Sequence, residues 1–126
     1  MKVHEYQAKE LLAAAGANVP AHVVCTTPDE VAAAFDKIAA PGGGAMVKAQ
    51  IHAGGRGAGQ LQGYGEKLGG VKFAPTREKA KALAETMFKY PLVTLQTGPE
   101  GQPIRKVIVQ ADAEPAKEYY VAIVFD

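Results

Sequence analysis

The sequence predicts an α+β fold built around a small α/β lobe. Predicted strands alternate with two amphipathic helices between Ala21 and Gln96, which is the pattern of an α/β unit. A further helix is predicted before residue 20, and two more strands are predicted after residue 100. The 126 residues have room for one compact domain, and 48% hydrophobic with 21% charged residues is ordinary for a globular protein.

The first predicted element is a helix from His4 to Ala15. Gly16 follows it in the position where glycine commonly ends a helix. Apolar residues at helical spacing are expected to form one buried face of this helix: Ala8, Leu11, Leu12 and Ala15. A strand is predicted next, from Ala21 to Cys25.

A second helix is predicted from the sequence TPDE at 27–30. Threonine is a preferred N-cap, proline is favoured at the first helical position, and glutamate three residues after the cap completes a capping box. The buried stripe is predicted to comprise Val31, Ala34, Phe35 and Ile38. Pro41 and the glycines after it break this helix, and a strand from Ala45 to Ala49 follows.

The remaining predicted elements are a strand at Gly70 to Ala74, a helix after Pro75, a strand at Leu92 to Gln96, a turn at Thr97 to Gly101, and strands at Ile104 to Ala111 and Glu118 to Phe125. The helix has the clearest periodicity, with Ala80, Leu83, Ala84, Met87 and Phe88 on one side. The last strand is apolar enough to be buried on both faces. This suggests that neighbouring strands come from the rest of a larger protein or from another copy of the chain.

The segment from Gln50 to Gly70 has too many glycines for a regular element, and it directly follows a strand that carries Lys48. Loops of about 20 residues are uncommon in compact domains unless they bind something. A lysine at the strand end and Arg56 between two glycines are suited to polyphosphate binding. The alternatives are a lysine extending from a half-exposed strand and an ordinary glycine-rich surface loop. Neither a Walker A motif nor a complete GxGxxG is present.

Charge and composition exclude several other classes of function. A net charge of +1 is too small for nonspecific nucleic-acid binding. No apolar run approaches the length of a membrane span, and no signal peptide is evident, so we expect a cytoplasmic protein. Cys25 is the only cysteine and is interpreted as a small buried hydrophobe. The histidines are scattered, no metal site is predicted, and His52 is expected to be exposed to solvent rather than bound to phosphate.

Seven short motifs, taken together and in order, resemble the β subunit of ADP-forming succinyl-CoA synthetase. They are HEYQAK at 4–9, CTTP at 25–28, VK at 47–48, HAGGRG at 52–57, GGVK at 69–72, QT at 96–97 and KEYY at 117–120. The resemblance covers the amino-terminal part of such a subunit. It implies the amino-terminal portion of an ATP-grasp fold, with the small lobe at about 21–100. Residues 1–20 and 101–126 would belong to the adjoining lobe.

The resemblance also implies a binding site and its ligands. Lys48 would contact the phosphates of ATP, and the loop Gly55-Arg56-Gly57 would lie over them, while Glu118 would contact the nucleotide. Gln110 and Ala113 stand where the bacterial pattern often has glutamate and threonine near the base. Pro20 is similar to the members that prefer ATP. No catalytic residue is expected in this segment, and the Mg²⁺ ligands are expected beyond residue 126.

The family reaction of the citric acid cycle joins succinate and CoA at the expense of ATP, through a phosphohistidine on a partner α subunit. This chain would contribute the positioning of the ATP phosphates, and the segment alone would be inactive. A related acid–CoA ligase, such as malate–CoA ligase, is an alternative because the acid specificity is not encoded here. A third reading is a noncatalytic folding or assembly fragment.

Overall fold

A computed structural model describes residues 2–125 of the chain. Its α-helices are α1 (Glu5–Ala14), α2 (Pro28–Ile38) and α3 (Arg77–Lys89). Its strands are β1 (His22–Cys25), β2 (Ala45–Ala49), β3 (Gln60–Leu61), β4 (Val71–Ala74), β5 (Leu92–Val93) and β6 (Val107–Ala111). The main sheet has the order β1-β6-β2-β4 with every pair antiparallel, and β3 pairs with β5 separately. The predicted α+β class is confirmed.

One face of the main sheet is covered by α2 and α3. On β2, Val47 is paired with Val109 of β6, and both are fully buried in the core together with Met87 of α3. Side chains alternate along a strand, so the residues next to Val47 in β2 and next to Val109 in β6 lie on the other face of the sheet. The hydrophobic core therefore lies between the sheet and two helices, and the second face of the sheet is left for other contacts.

A threonine caps both α2 and α3, but the capping box predicted for α2 is not formed, because Glu30 Oε2 accepts from the backbone N–H of Thr26 at 2.6 Å and not from that of Thr27. Thr27 Oγ1 accepts a hydrogen bond of 3.2 Å from the backbone N–H of Glu30, and Thr76 Oγ1 accepts one of 3.2 Å from that of Lys79. These bonds satisfy backbone donors that a helix leaves unpaired in its first turn. The predicted stripes are also confirmed, with Val31 and Phe35 buried in α2 and Met87 buried in α3.

The buried face predicted for α1 is wrong, although the helix itself forms. Leu11 and Leu12 are 66% and 53% exposed, and within residues 2–125 no residue of α1 is buried. The helix is attached at its first turn, where the backbone N–H of Tyr6 donates to Gln50 Oε1 at 3.1 Å. Helical spacing predicts which residues share a face, but it does not predict whether another part of the chain covers that face.

The strand predicted at Glu118 to Phe125 does not form. Residues 118–125 have no regular structure, and the side chains of Tyr120 and Phe125 are almost fully exposed. A strand needs a hydrogen-bonded neighbour, and none of the described strands pairs with this segment. An apolar sequence alone is therefore not sufficient to form a strand here.

Other elements also differ from the predictions, and β6 begins at Val107 rather than at Ile104. The segment at 50–70 contains a 3₁₀ turn at Arg56–Ala58 and the short strand β3, so it is more ordered than a loop without regular elements. The strand predicted at Leu92 to Gln96 is only two residues long, because the backbone N–H of Thr97 turns back to the carbonyl of Thr94 at 3.3 Å.

The position of β6 bears on how the chain is divided between lobes. β6 lies between β1 and β2, so residues 107–111 belong to the same sheet as strands of the predicted small lobe. The assignment of residues 1–20 and 101–126 to an adjoining lobe stays a prediction. Among residues 2–125, no helix combines the length and apolarity needed to cross a membrane.

Candidate functional site

Lys48 lies on the sheet face opposite α2 and α3. Its neighbours in β2, Val47 and Ala49, are fully buried, whereas Lys48 is only partly buried. Strand alternation therefore delivers the ammonium group to the second face of the sheet, close to the end of β2.

A pocket of about 330 Å³ opens on this second face, and we call it the Lys48 pocket. Four of the residues predicted from the sequence line it: Lys48, Gln110, Ala113 and Glu118. Its other lining residues are Met46, Val71, Asp112 and Pro115. Lys48 and Gln110 come from neighbouring strands, while Ala113 and Glu118 come from the segment that follows β6. Folding thus gathers residues that are distant in sequence around a single lysine.

Lys48 bridges two polar side chains. Its Nζ donates to Gln110 Oε1 at 3.3 Å and to Glu5 Oε1 at 3.3 Å. Gln110 is 5% exposed, and a buried amide requires such a partner. The two carboxylates on the pocket wall, Asp112 and Glu118, are both exposed. The pocket therefore combines one held cation with acceptors that remain open to solvent.

The Arg56 guanidinium group is held by two hydrogen bonds. Its Nη1 donates to the carbonyl of Ala49 at 2.6 Å, and its Nη2 donates to Glu5 Oε2 at 2.7 Å. Among the described residues, those that line the Lys48 pocket do not include Gly55, Arg56 or Gly57. Arg56 is joined to Lys48 through their shared carboxylate, and its role on phosphates stays a prediction.

Glycine is required at two positions around Arg56. Gly55 has φ of +73°, in the left-handed region that other residues adopt at a cost. At Gly69, an added Cβ would clash with the backbone carbonyl of Gly57. The next residue, Gly70, donates its N–H to the carbonyl of Arg56 at 2.8 Å. The loop is therefore folded back against the start of β4 and presents Arg56 in a defined position.

Glu5 is the residue of this site whose role sequence reasoning missed. It lies in one of the motifs that carry the family resemblance, but its partners Lys48 and Arg56 are 43 and 51 positions away. No local pattern connects residues so distant. The only local signal is an acidic residue in the first turn of a helix, which is common because it complements the helix dipole.

The charge state of Glu5 follows from its surroundings. Burial of the carboxyl favours the neutral form, but the hydrogen bond from Arg56 and the charge of Lys48 outweigh it and hold the pKa of Glu5 below its ordinary value. Glu5 is therefore ionised at neutral pH. It forms an ion pair with both cations and a longer one of 3.6 Å with Lys9.

A second pocket, of about 350 Å³, lies beside the first turn of α1 and includes His4, His52 and Lys106. The rings of His4 and His52 stack with their centroids 3.9 Å apart. Burial, together with the positive charges of His52 and Lys106, lowers the pKa of His4. His52 is exposed, as expected from the sequence. Within residues 2–125, no three His, Cys, Asp or Glu side chains are grouped as metal ligands would be.

Comparison with known proteins identifies the class of fold. A family model described as "ATP-grasp domain" matches residues 2–126, and the chain belongs to this family. The mixed helices and strands described above are thus those of an ATP-grasp domain.

The relatives narrow the class further. The chain is 46% identical over 126 residues to the "Succinate--CoA ligase [ADP-forming] subunit beta" of Leptospira biflexa, 43% over 127 residues to that of Caulobacter vibrioides, and 44% over 126 residues to that of Bacillus pumilus. Each match covers 100% of this chain but only 30%, 31% and 30% of the respective relative. The chain therefore spans less than a third of the length of these relatives.

Proposed function

We propose that this chain is the nucleotide-binding part of the β subunit of an ADP-forming succinate–CoA ligase. With ATP, Mg²⁺ and an α subunit that carries the phosphohistidine, the whole enzyme interconverts succinate, CoA and ATP with succinyl-CoA, ADP and phosphate in the cytoplasm. The observation that carries the proposal is the Lys48 pocket, which gathers four of the predicted nucleotide contacts in a chain whose relatives are named as such β subunits.

The proposed roles follow from the chemistry of each side chain. Lys48 has an N–H donor that Glu5 and Gln110 do not use, and this donor would bind a phosphate oxygen. Glu118 would accept hydrogen bonds from ribose hydroxyls. Ala113 would contact the base through its backbone. Gln110 gives its amide oxygen to Lys48, so its amide nitrogen would serve the base.

The phosphate loop would complete this set. Arg56 has N–H donors beyond the two bonded to Ala49 and Glu5, and with Gly55 and Gly57 it would cover the phosphates. ATP supplies the phosphoryl group when bound, and Mg²⁺ would be held by ligands beyond residue 126. The contribution of this chain is to bind and orient the phosphates by fixed positive charge.

The test compares two lysines on opposite faces of the sheet. Lys48→Met should weaken ATP binding by about tenfold or more, because a charge-assisted hydrogen bond is lost. Lys72→Met is the matched control, since Lys72 is exposed and is paired with Val47, whose side chain lies on the core face. Calorimetric titration of the assembled enzyme with Mg-ATP measures both affinities.

The outcomes separate the proposal from its alternatives. Equal affinities for Lys48→Met and the wild type would remove Lys48 from the site. Failure of the unaltered protein to bind ATP would favour the folding or assembly fragment. If ATP binds as proposed, assays of the assembled enzyme with succinate and with malate distinguish the two acid–CoA ligases.

A further inference from the structure

A single carboxylate joins the two cations of the proposed phosphate site. Glu5 Oε1 lies 3.3 Å from Lys48 Nζ, and Glu5 Oε2 lies 2.7 Å from Arg56 Nη2. Lys48 comes from the main sheet and Arg56 from the loop that follows it, whereas Glu5 is the first residue of α1. Three separate parts of the chain therefore meet at one acidic side chain.

The three side chains are largely withdrawn from solvent. The side chains of Lys48, Arg56 and Glu5 are 19%, 19% and 21% exposed. Partly buried ion pairs are screened less by water and salt than surface pairs are, and bonds between charged groups are the stronger class of hydrogen bond. These contacts are thus strong enough to restrict the long side chains of the two cations.

Charge balance gives the carboxylate a second effect. Without Glu5, two positive charges would lie in one region with no carboxylate between them, and only the bonds of Lys48 to Gln110 and of Arg56 to the Ala49 carbonyl would remain to hold them. Glu5 remains ionised at neutral pH because Arg56 and Lys48 hold its pKa down against the effect of burial. It therefore keeps the cations together before any ligand arrives.

The helix α1 is attached to the rest of the chain at the end that carries Glu5. In the described part of the chain, α1 buries no residue, so it contributes little to the core. The hydrogen bonds that join α1 to the sheet and the loops around it come from its first turn: Glu5 to Lys48 and Arg56, the Tyr6 N–H to Gln50, and Lys106 Nζ to the Tyr6 hydroxyl at 3.2 Å. The first turn is held against the site, and the rest of the helix is not.

We propose that Glu5 is a positioning residue that holds Lys48 and Arg56 in the arrangement that receives the phosphates of the nucleotide. This inference rests on the function proposed above. Glu5 does not contact the nucleotide. It lowers the entropy lost on binding, because the two flexible cations are already ordered when the phosphates arrive.

The test measures ATP affinity in the complete β subunit assembled with its α subunit. Glu5→Gln should weaken ATP binding by about tenfold, since misplacing a binding group costs affinity even when the group is present. Glu5→Asp keeps the charge but shortens the reach, and should lose about threefold because it contacts only one cation well. Glu10→Gln is the matched control, because Glu10 is an exposed residue of the same helix.

A second ligand separates positioning from a general loss of structure. Adenosine has no phosphates, so its binding, measured by NMR titration, should be the same in Glu5→Gln and in the wild type. If both Glu5 variants bind ATP as tightly as the wild type or more tightly, the inference is overturned. It is also overturned if Glu5→Gln loses as much affinity for adenosine as for ATP. If Glu5→Gln does not fold, wild-type ATP affinity in Glu5→Asp would overturn it. Absence of ATP binding in the wild type would instead refute the proposed function.

Discussion

Cys25 and Lys48 both belong to the main sheet, but they lie on opposite faces. Cys25 of β1 is paired with Val107 and is fully buried with the core residues under α2. Burial, with a smaller effect from the charge of Glu30, raises the pKa of the Cys25 thiol to about 11. The interpretation of Cys25 as a small buried hydrophobe is therefore confirmed, whereas Lys48 two strands away remains open to a ligand.

The thiol of Cys25 should react slowly in the folded protein. Its ordinary pKa is 9.0, and the raised value of about 11 lowers the thiolate fraction at pH 8 by about a hundredfold. The reaction is slower and not faster because only the thiolate is nucleophilic, and a higher pKa leaves less thiolate at a given pH. Alkylation by iodoacetamide, followed by mass spectrometry, should be at least that much slower in the native chain than in denaturant. Equal rates would show that Cys25 is exposed.

At the scale of the element, α1 and α3 have similar sequence patterns but different environments. Both have apolar residues at helical spacing, and both were predicted to bury them. In α3, Ala80, Ala84 and Met87 are fully buried against the sheet, whereas Leu12 of α1 is 53% exposed. The difference lies in what covers each helix, which depends on the whole fold and not on the helix.

Matched truncations in the two helices should therefore differ in cost. Met87→Ala should lower the free energy of unfolding by about 3 kcal/mol, because it removes a fully buried side chain and leaves a cavity. Leu12→Ala should change the free energy by less than about 0.5 kcal/mol, as expected for an exposed position. Urea denaturation of the isolated chain measures both. A large loss for Leu12→Ala would mean that α1 packs through its apolar face.

The same contrast explains what the sequence could and could not predict. The starts of α2 and α3 are encoded locally by Thr27 and Thr76, and these helices were predicted well. Lys48 can be singled out as a candidate because a lysine at a strand end is a local feature. The link from Glu5 to Lys48 and Arg56 depends on contacts between distant residues, so no spacing could reveal it. Whether an apolar segment such as 118–125 forms a strand likewise depends on a neighbour, which a linear pattern does not specify.

At the scale of the whole molecule, half of the residues that line the Lys48 pocket come from strands of the main sheet, and the other half come from a segment outside the folded core. The core consists of side chains between Cys25 and Val109. Residues 112–125 are all exposed, yet four of the residues that line the pocket lie within them: Asp112, Ala113, Pro115 and Glu118. For this half of the pocket, the residues that contact a ligand are thus separate along the sequence from those that form the core.

Removal of this exposed segment should leave the core intact. A chain that ends after Ala111 keeps all of β6, the central strand that pairs with both β1 and β2. Because the deleted residues bury no side chain, the free energy of unfolding should change by no more than about 0.5 kcal/mol. A chain that ends after Tyr120 is the matched control, since it retains the pocket residues and loses only the exposed apolar end. Urea denaturation of the three chains provides the comparison. If the free energy of unfolding falls by about 2 kcal/mol or more only in the chain that ends after Ala111, residues 112–120 pack onto the sheet in solution. This part of the pocket wall would then belong to the folded core.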